Sequence, residues 1–224
     1  MPTLNKIEPQ EDFQYKFLSS KANIAIGGGA AGAGKTFSLL LDAVRHHNDP
    51  TSKGIIFRRT TPQITNPGAL WDESNEIYPL IGGSPNISRL KWTFESGSEI
   101  KFSHLEHEKN VLDYQGSQFT FVGFDELTHF TESQFFYMLS RLRTTGKIKP
   151  YVRATCNPDP ESWVARFIDW WIDPDTGFPI PERCGKLRYF IKDQNNYVWG
   201  TSVQEIEDQA PHIFNDEAFK DRGS

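Results

Sequence analysis

Cysteine and methionine are scarce in this 224-residue chain, at two residues each. Cys156 and Cys184 cannot build a disulfide framework, which excludes the small secreted scaffolds and fits a reduced compartment. No apolar run approaches the roughly 18 residues that cross a bilayer, so no membrane partner is expected. Met1 to Gln10 lacks the basic start and apolar stretch of a signal peptide. Cationic excess is missing too: 24 Lys and Arg stand against 29 Asp and Glu, a net charge of −5. That balance excludes a histone-like wrap of basic surface, although a local basic stripe on an acidic protein still binds phosphate. Repeats and low-complexity segments are absent as well. A cytoplasmic globular protein is the expectation.

Aromatics are abundant by contrast, with 17 Phe available for a sizeable core. Short apolar runs alternate with helical periodicity. Strands are expected at Asn23–Ile26, Gly54–Arg58, Phe119–Phe124, Pro150–Cys156 and Leu187–Ile191, and a hairpin over Arg89–His104. Helices are expected from Lys35 to about Asn48, from Asn66-Pro67 to about Tyr78, from Thr131 to about Arg143, and after Asp159-Pro160 through Trp163, Phe167, Trp170 and Trp171. A turn at Asp193–Asn196 and a short helix from Ser202 close the pattern. Strands alternating with helices predict an α/β fold with a mainly parallel central sheet.

Gly29-Ala30-Ala31-Gly32-Ala33-Gly34-Lys35-Thr36 matches G-x-x-x-x-G-K-[ST] at every fixed position, after a strand and before an amphipathic helix. Small residues let backbone N–H groups curl around a phosphate, and the helix N-terminus adds its positive end. Lys35 would neutralise the β- and γ-phosphates of ATP and the Thr36 hydroxyl would coordinate Mg²⁺. Phe121-Val122-Gly123-Phe124-Asp125-Glu126 is an apolar strand ending in two carboxylates. Asp125 would hold the Mg²⁺ opposite Thr36, and Glu126 would orient and polarise the water attacking the γ-phosphate. The second carboxylate favours a hydrolase over a kinase or a simple switch. Asn157-Pro158-Asp159 does not supply the guanine motif of a GTPase.

With those motifs placed, the chain resembles the ATPase domain of the large terminase subunit of tailed bacteriophages. The resemblance covers nearly the whole sequence: Gln14-Tyr15-Lys16-Phe17-Leu18, Ile55-Ile56-Phe57-Arg58-Arg59, Tyr114-Gln115-Gly116, Phe124-Asp125-Glu126-Leu127-Thr128, Ser140-Arg141-Leu142-Arg143, and Ala154-Thr155-Cys156-Asn157-Pro158. It implies a P-loop NTPase fold of the ASCE type with an inserted hairpin and a small C-terminal lid. It also implies a motor that hydrolyses ATP with Mg²⁺ to push double-stranded DNA into a preformed capsid in the host cytoplasm. Implied partners are the DNA, a portal protein, the small terminase subunit and further copies of the chain in a ring, the isolated domain being expected as a monomer. A helicase-like translocase and a nucleotide-dependent switch are the alternatives.

The resemblance also assigns residues. Gln14 would read the adenine, with Gln10 a weaker candidate. Thr155 and Asn157 would couple hydrolysis to movement. The loop lacks the arginine that some large terminases carry there, so the charge-stabilising arginine must come from elsewhere. Arg141 and Arg143 are the leading candidates, presented to a neighbouring subunit, and Arg58 and Arg59 are the runners-up. The carboxylate-free stretch Ser133–Pro158, with Arg141, Arg143, Lys147, Lys149 and Arg153, would track a DNA backbone or face a neighbour. The expected organisation is an adenine-reading segment over 1–20, the ATPase core over 21–171 and a lid or linker over 172–224. Nuclease activity is expected to be absent from this chain.

Overall fold

The predicted strands that become Lys53–Arg58, Phe121–Phe124 and Tyr151–Cys156 lie side by side at the centre of the fold because each is buried on both faces along nearly its whole length. The structure, a computed structural model, describes residues 9–10, 13–29, 32, 34–157, 159–194 and 196–215. It separates into two compact units, Met1–Arg166 and Phe167–Ser224.

The first unit carries, in chain order, α1 (Phe13–Ser19), β1 (Ile24–Gly28), α2 (Lys35–Ala43), β2 (Lys53–Arg58), α3 (Pro62–Thr65), α4 (Leu70–Ile77), β3 (Ser84–Asn86), β4 (Lys91–Thr93), β5 (Glu99–His104), β6 (Phe121–Phe124), α5 (Glu132–Leu139) and β7 (Tyr151–Cys156). The seven strands form one sheet in the order β1-β7-β6-β2-β5-β4-β3. The pairings β1–β7, β7–β6, β6–β2 and β2–β5 are parallel, whereas β5–β4 and β4–β3 are antiparallel. The hairpin read over Arg89–His104 therefore extends the central sheet, its second strand lying parallel to β2. The C-terminal ends of β1, β7, β6 and β2 share one edge, where α/β folds bind their ligands.

One face of the sheet packs Leu39 and Leu40 of α2 and Ile77 of α4 against Ile56, Ile100, Phe102 and Phe121. Polar groups within this core are satisfied: the Tyr78 hydroxyl donates to Leu40 O (3.1 Å) and Trp92 Nε1 donates to Ser74 Oγ (3.0 Å). Leaving either unpaired would cost about 1–3 kcal/mol. A buried ion pair also fixes α2 to β7. Arg153 Nε lies 2.7 Å from Asp42 Oδ2, and the rest of the guanidinium donates to the carbonyls of Ser20, Ala22 and Val152. Arg153 is thus a structural residue, and its place in the predicted DNA-tracking stretch is corrected.

Four helix boundaries differ from the sequence reading; the first is α2, which ends at Ala43 and gives way to turns over 44–48. Asn66-Pro67 opens no helix. Pro67 and Gly68 (φ 73°) are the central residues of a turn closed by Ala69 N–H to Asn66 O at 2.9 Å, the arrangement of a type II turn. The Asp72 carboxylate then accepts from Gly68 N–H at 2.9 Å, and α4 starts at Leu70. The capping box at Thr131 and Gln134 forms as read, but α5 stops at Leu139. Residues 141–143 turn away because Phe119 N–H donates to Arg141 O and Arg143 N–H donates to Phe119 O. The Trp-rich helix is split into α6 (Trp163–Phe167) and a 3₁₀ turn, Asp169–Trp171.

The second unit contains a hairpin of β8 (Tyr189–Asp193) and β9 (Asn196–Gly200), then α7 (Val203–Gln209) and α8 (Pro211–Phe214). Phe167 meets Phe190, Tyr197 and Trp199 with ring centroids 5.1–5.2 Å apart. The strand β9 was not read from the sequence. Ser202 caps α7 by accepting from Glu205 N–H. Among the described residues no helix is long and apolar enough to cross a membrane.

Candidate active site

β1 delivers the chain to the phosphate loop at Gly28, and α2 takes it up again at Lys35. Gly32 (φ 83°) and Gly34 (φ 66°) occupy the left-handed region that favours glycine. A Cβ on Gly34 would lie 2.2 Å from Gln14 Nε2, so glycine is required there on two grounds. No side chain caps α2, and a helix N-terminus of this kind favours negative charge. Ala30, Ala31 and Ala33 lie outside the described residues; Gly29 is described, and its carbonyl accepts from Lys35 Nζ at 2.6 Å. Gln14 is buried beside the loop, and its Oε1 accepts from Gln10 N–H at 2.8 Å.

β6 ends at the same edge and presents Asp125, 1% exposed. Thr36 and Asp125, 89 positions apart, come together: Thr36 Oγ1 is 3.2 and 3.3 Å from the two carboxylate oxygens. Thr155 Oγ1, at the end of β7, donates to Asp125 Oδ1 at 2.7 Å. Burial pushes the Asp125 carboxyl up; Arg58 and the Thr155 hydroxyl oppose that, and Glu126 adds to it. Arg58 Nε lies 2.9 Å from Asp125 Oδ2 but off the line of a hydrogen bond, so charge alone holds this pair.

Glu126 adopts φ 64°, uncommon for a residue with a Cβ and frequent at functional sites. Its N–H donates to Thr155 Oγ1 at 3.2 Å, turning the backbone back toward β7. Both of its carboxylate oxygens are held by Asn157, one by the backbone N–H and one by Nδ2, each at 3.0 Å. Asn157 Oδ1 in turn accepts from Lys35 Nζ at 2.8 Å. One asparagine thus bridges the loop lysine and the second carboxylate. This is possible because β7 lies between β1 and β6 in the sheet. Cys156 between them is buried, and burial together with Glu126 pushes its thiol up to about 11.

The hydroxyl of Thr36 and the carboxylate of Asp125 are oxygen donors suited to a hard cation. Among the described residues no group of three or more His, Cys, Asp or Glu could hold a metal by itself. A Mg²⁺ bound through one carboxylate, one hydroxyl, phosphate oxygens and water fits that donor set.

A family model described as terminase large subunit, T4likevirus-type, N-terminal, matches residues 26–223. The chain belongs to this family. No curated protein matches it significantly. Among solved structures, the large terminase ATPase domain of Thermus phage P74-26 is 14% identical with a TM-score of 0.52, over 73% of this chain and 75% of that one. The large terminase of a thermophilic bacteriophage is 17% identical with a TM-score of 0.54, over 73% of this chain and 44% of that one. The N-terminal domain of the DNA packaging ATPase from bacteriophage phi29 is 14% identical with a TM-score of 0.50, over 78% and 91%. At these identities the structural likeness speaks for the fold, an α/β architecture with a mainly parallel sheet.

Not every residue named from the sequence reaches the site of this terminase chain. Lys35, Thr36, Asp125, Glu126, Thr155 and Asn157 converge, and Gln14 lies against Gly34. Arg141 stacks over Tyr137 at 5.3 Å, and Arg143 lines a depression with Lys53 and Thr120 at the starts of β2 and β6. Arg143 therefore stands at the opposite edge of the sheet from Asp125. Of the four arginines, Arg58 is the one brought to Asp125; Arg59 bonds Leu105 O and Gln134 Oε1. Glu73 was not singled out in the sequence. It is half-buried on α4, where burial raises its carboxyl, with Asp125 adding to the rise and Arg58 opposing it. Its signal was slight, a second acidic residue after Asp72 in the first turn of a helix.

Proposed function

We propose that this chain is the ATP-hydrolysing domain of a motor that packages double-stranded viral DNA. The observation that carries the reading is the Lys35–Asn157–Glu126 bridge beside the Thr36–Asp125 pair, on the sheet edge where the phosphate loop opens. In this reading the N–H groups of the loop and of α2 bind the phosphates of ATP, and Gln14 pairs with the adenine through one donor and one acceptor. Thr36 and Asp125 hold Mg²⁺, which supplies charge neutralisation at the phosphates. Lys35 exchanges Gly29 O and Asn157 Oδ1 for phosphate oxygens. Asn157 then no longer ties the lysine to Glu126, and the Glu126 carboxylate orients the attacking water and takes its proton. Because Thr155 and Asn157 end one strand, their change of partners passes into β7 as movement. Arg141 or Arg143 acts on the site of a neighbouring copy in a ring. Portal protein, small terminase subunit and duplex DNA are the partners in this reading.

The test is phosphate release from ATP by the purified chain, alongside Lys35→Ala and Asp125→Asn, with and without Mg²⁺. Release is expected only from the wild type with Mg²⁺. Release that survives either substitution would overturn the site. Packaging of labelled duplex into portal-bearing procapsids, dependent on ATP, tests the motor role.

A further inference from the structure

The edge of the central sheet opposite Lys35 and Asp125 is remote from the site in the same copy, yet it gathers cations. β1, β7, β6 and β2 run parallel, so the residues that precede them share this edge. Exposed Lys21 precedes β1, exposed Lys53 opens β2, and exposed Lys147 and Lys149 precede β7. Arg45 and His46 line one depression with Lys21 and Lys149, and exposed Arg143 lines a second with Lys53. Residues 143–150 run from the second depression to the first. Of the carboxylates placed here, Asp42 is buried between Arg45 and Arg153, and Glu99, in register with Lys53, pairs with Lys91 at 2.6 Å; Asp49, kept ionised by Thr51 N–H and Oγ1, leaves one negative charge beside six cations. A stripe of six exposed or half-exposed cations on a chain of net charge −5 marks a place built for an anion.

We propose that this edge is a docking surface for the phosphate backbone of double-stranded DNA; the choice of duplex rests on the packaging reading above. The residue types favour nucleic acid over a protein partner. Lysine is depleted in protein interfaces, whose centres need apolar and aromatic anchors, and none of the exposed large hydrophobic residues belongs to either depression. The cations are instead interspersed with Ser20, Asn23, Thr51, Gln118, Thr144 and Thr145, the hydroxyl and amide donors that accompany Lys and Arg at phosphates. Among the described residues lining the two depressions, Tyr151 is buried and the half-buried His46 ring packs edge-on against it, so no exposed Phe, Tyr or Trp is offered for stacking unpaired bases, which argues for a duplex over a single strand. The stripe spans β1 to β2, three strand spacings or about 14 Å. Contact with roughly four phosphates gives a salt slope, log K against log[salt], of about −3.6.

The experiment measures binding of a fluorescent 30-base-pair duplex by the full chain across a salt series, for the wild type, Lys21→Gln/Lys147→Gln/Lys149→Gln and Lys109→Gln. Lys109 is exposed beyond the other end of β5 and serves as the control. The slope is expected to shrink by about 1 per lysine removed in the triple variant and to stay unchanged in the control. An unchanged slope in the triple variant, or no duplex binding by the wild type at low salt, overturns the proposal. Poly-glutamate of equal charge binding as tightly as the duplex also overturns it, in favour of an acidic protein partner. ATP hydrolysis measured in the same samples separates the two readings, because a wild type that binds duplex but releases no phosphate fails only the earlier one.

Discussion

Asp42→Ala should cost the first unit a large part of its stability and disturb the site without touching it. Asp42 is on the phosphate-loop helix and Arg153 on the strand that ends in Thr155 and Asn157, so their ion pair sets the register between Lys35 and Asn157. Both side chains are buried, at 0% and 3% exposure. Arg45 shares the carboxylate at 2.6 Å. Removing Asp42 leaves the Arg153 guanidinium buried with backbone carbonyls for company but without its carboxylate, a loss of about 3–5 kcal/mol. With a urea m-value of about 2–3 kcal/mol/M, the midpoint falls by about 1–2.5 M. Asp42→Ala/Arg153→Leu removes the stranded charge as well and should be more stable than Asp42→Ala alone, with a coupling of up to about 3 kcal/mol. Urea unfolding followed by circular dichroism gives both midpoints. An Asp42→Ala midpoint within about 0.3 M of wild type, taking the same m-value, would refute the reasoning, as would a double variant with the full additive loss.

Other expectations concern the site itself. Asn157→Ala removes an acceptor of Lys35 and a donor to Glu126; ATP affinity should hold or tighten by up to ~5-fold, since about 1 kcal/mol of hydrogen bonding no longer has to be exchanged. Its turnover should fall at least ~10-fold as Glu126 loses its support, and steady-state kinetics with equilibrium binding would expose an unchanged turnover as a contradiction. Gly34→Ala forces a Cβ into the left-handed region, at about 1–2 kcal/mol, and against Gln14. Preference for ATP over GTP, read by competition, should weaken along with affinity, and normal affinity would count against the Gln14 contact. Arg143→Ala should leave phosphate release by dilute protein unchanged and remove any rise in specific activity with protein concentration; a wild-type activity flat in concentration would argue against an intersubunit arginine.

The start of α2 at Lys35 after a glycine-rich turn, the apolar strand before Asp125-Glu126 and the Thr131 capping box were legible because each is a local pattern. The sheet order was not. That β7 lies between β1 and β6 depends on a parallel β1–β7 pairing across more than a hundred residues, and this order lets Asn157 reach both Lys35 and Glu126. Arg153 shows the same limit: in sequence it closes a basic run, but its partner Asp42 is 111 positions away and the pair is buried. Arg143 reads as a neighbour of the acidic motif, yet the turn after α5 carries it to the other edge of the sheet. The Pro67-Gly68 turn was written in the sequence, since proline followed by glycine is the type II signature, but Asn66-Pro67 equally resembles a helix start and the glycine decides between them.

The most direct measurement is ATP binding and phosphate release, side by side, for the wild type and Glu126→Gln. The substitution keeps the shape of a side chain held by Asn157 N–H and Nδ2 and removes the charge that takes the proton from water. Normal ATP binding with phosphate release lost in the variant is the predicted result, and it identifies Glu126 as the catalytic carboxylate of a terminase motor. Equal phosphate release from both proteins would contradict the account at its centre, because the site would then hydrolyse ATP without the residue that the bridge from Lys35 exists to control.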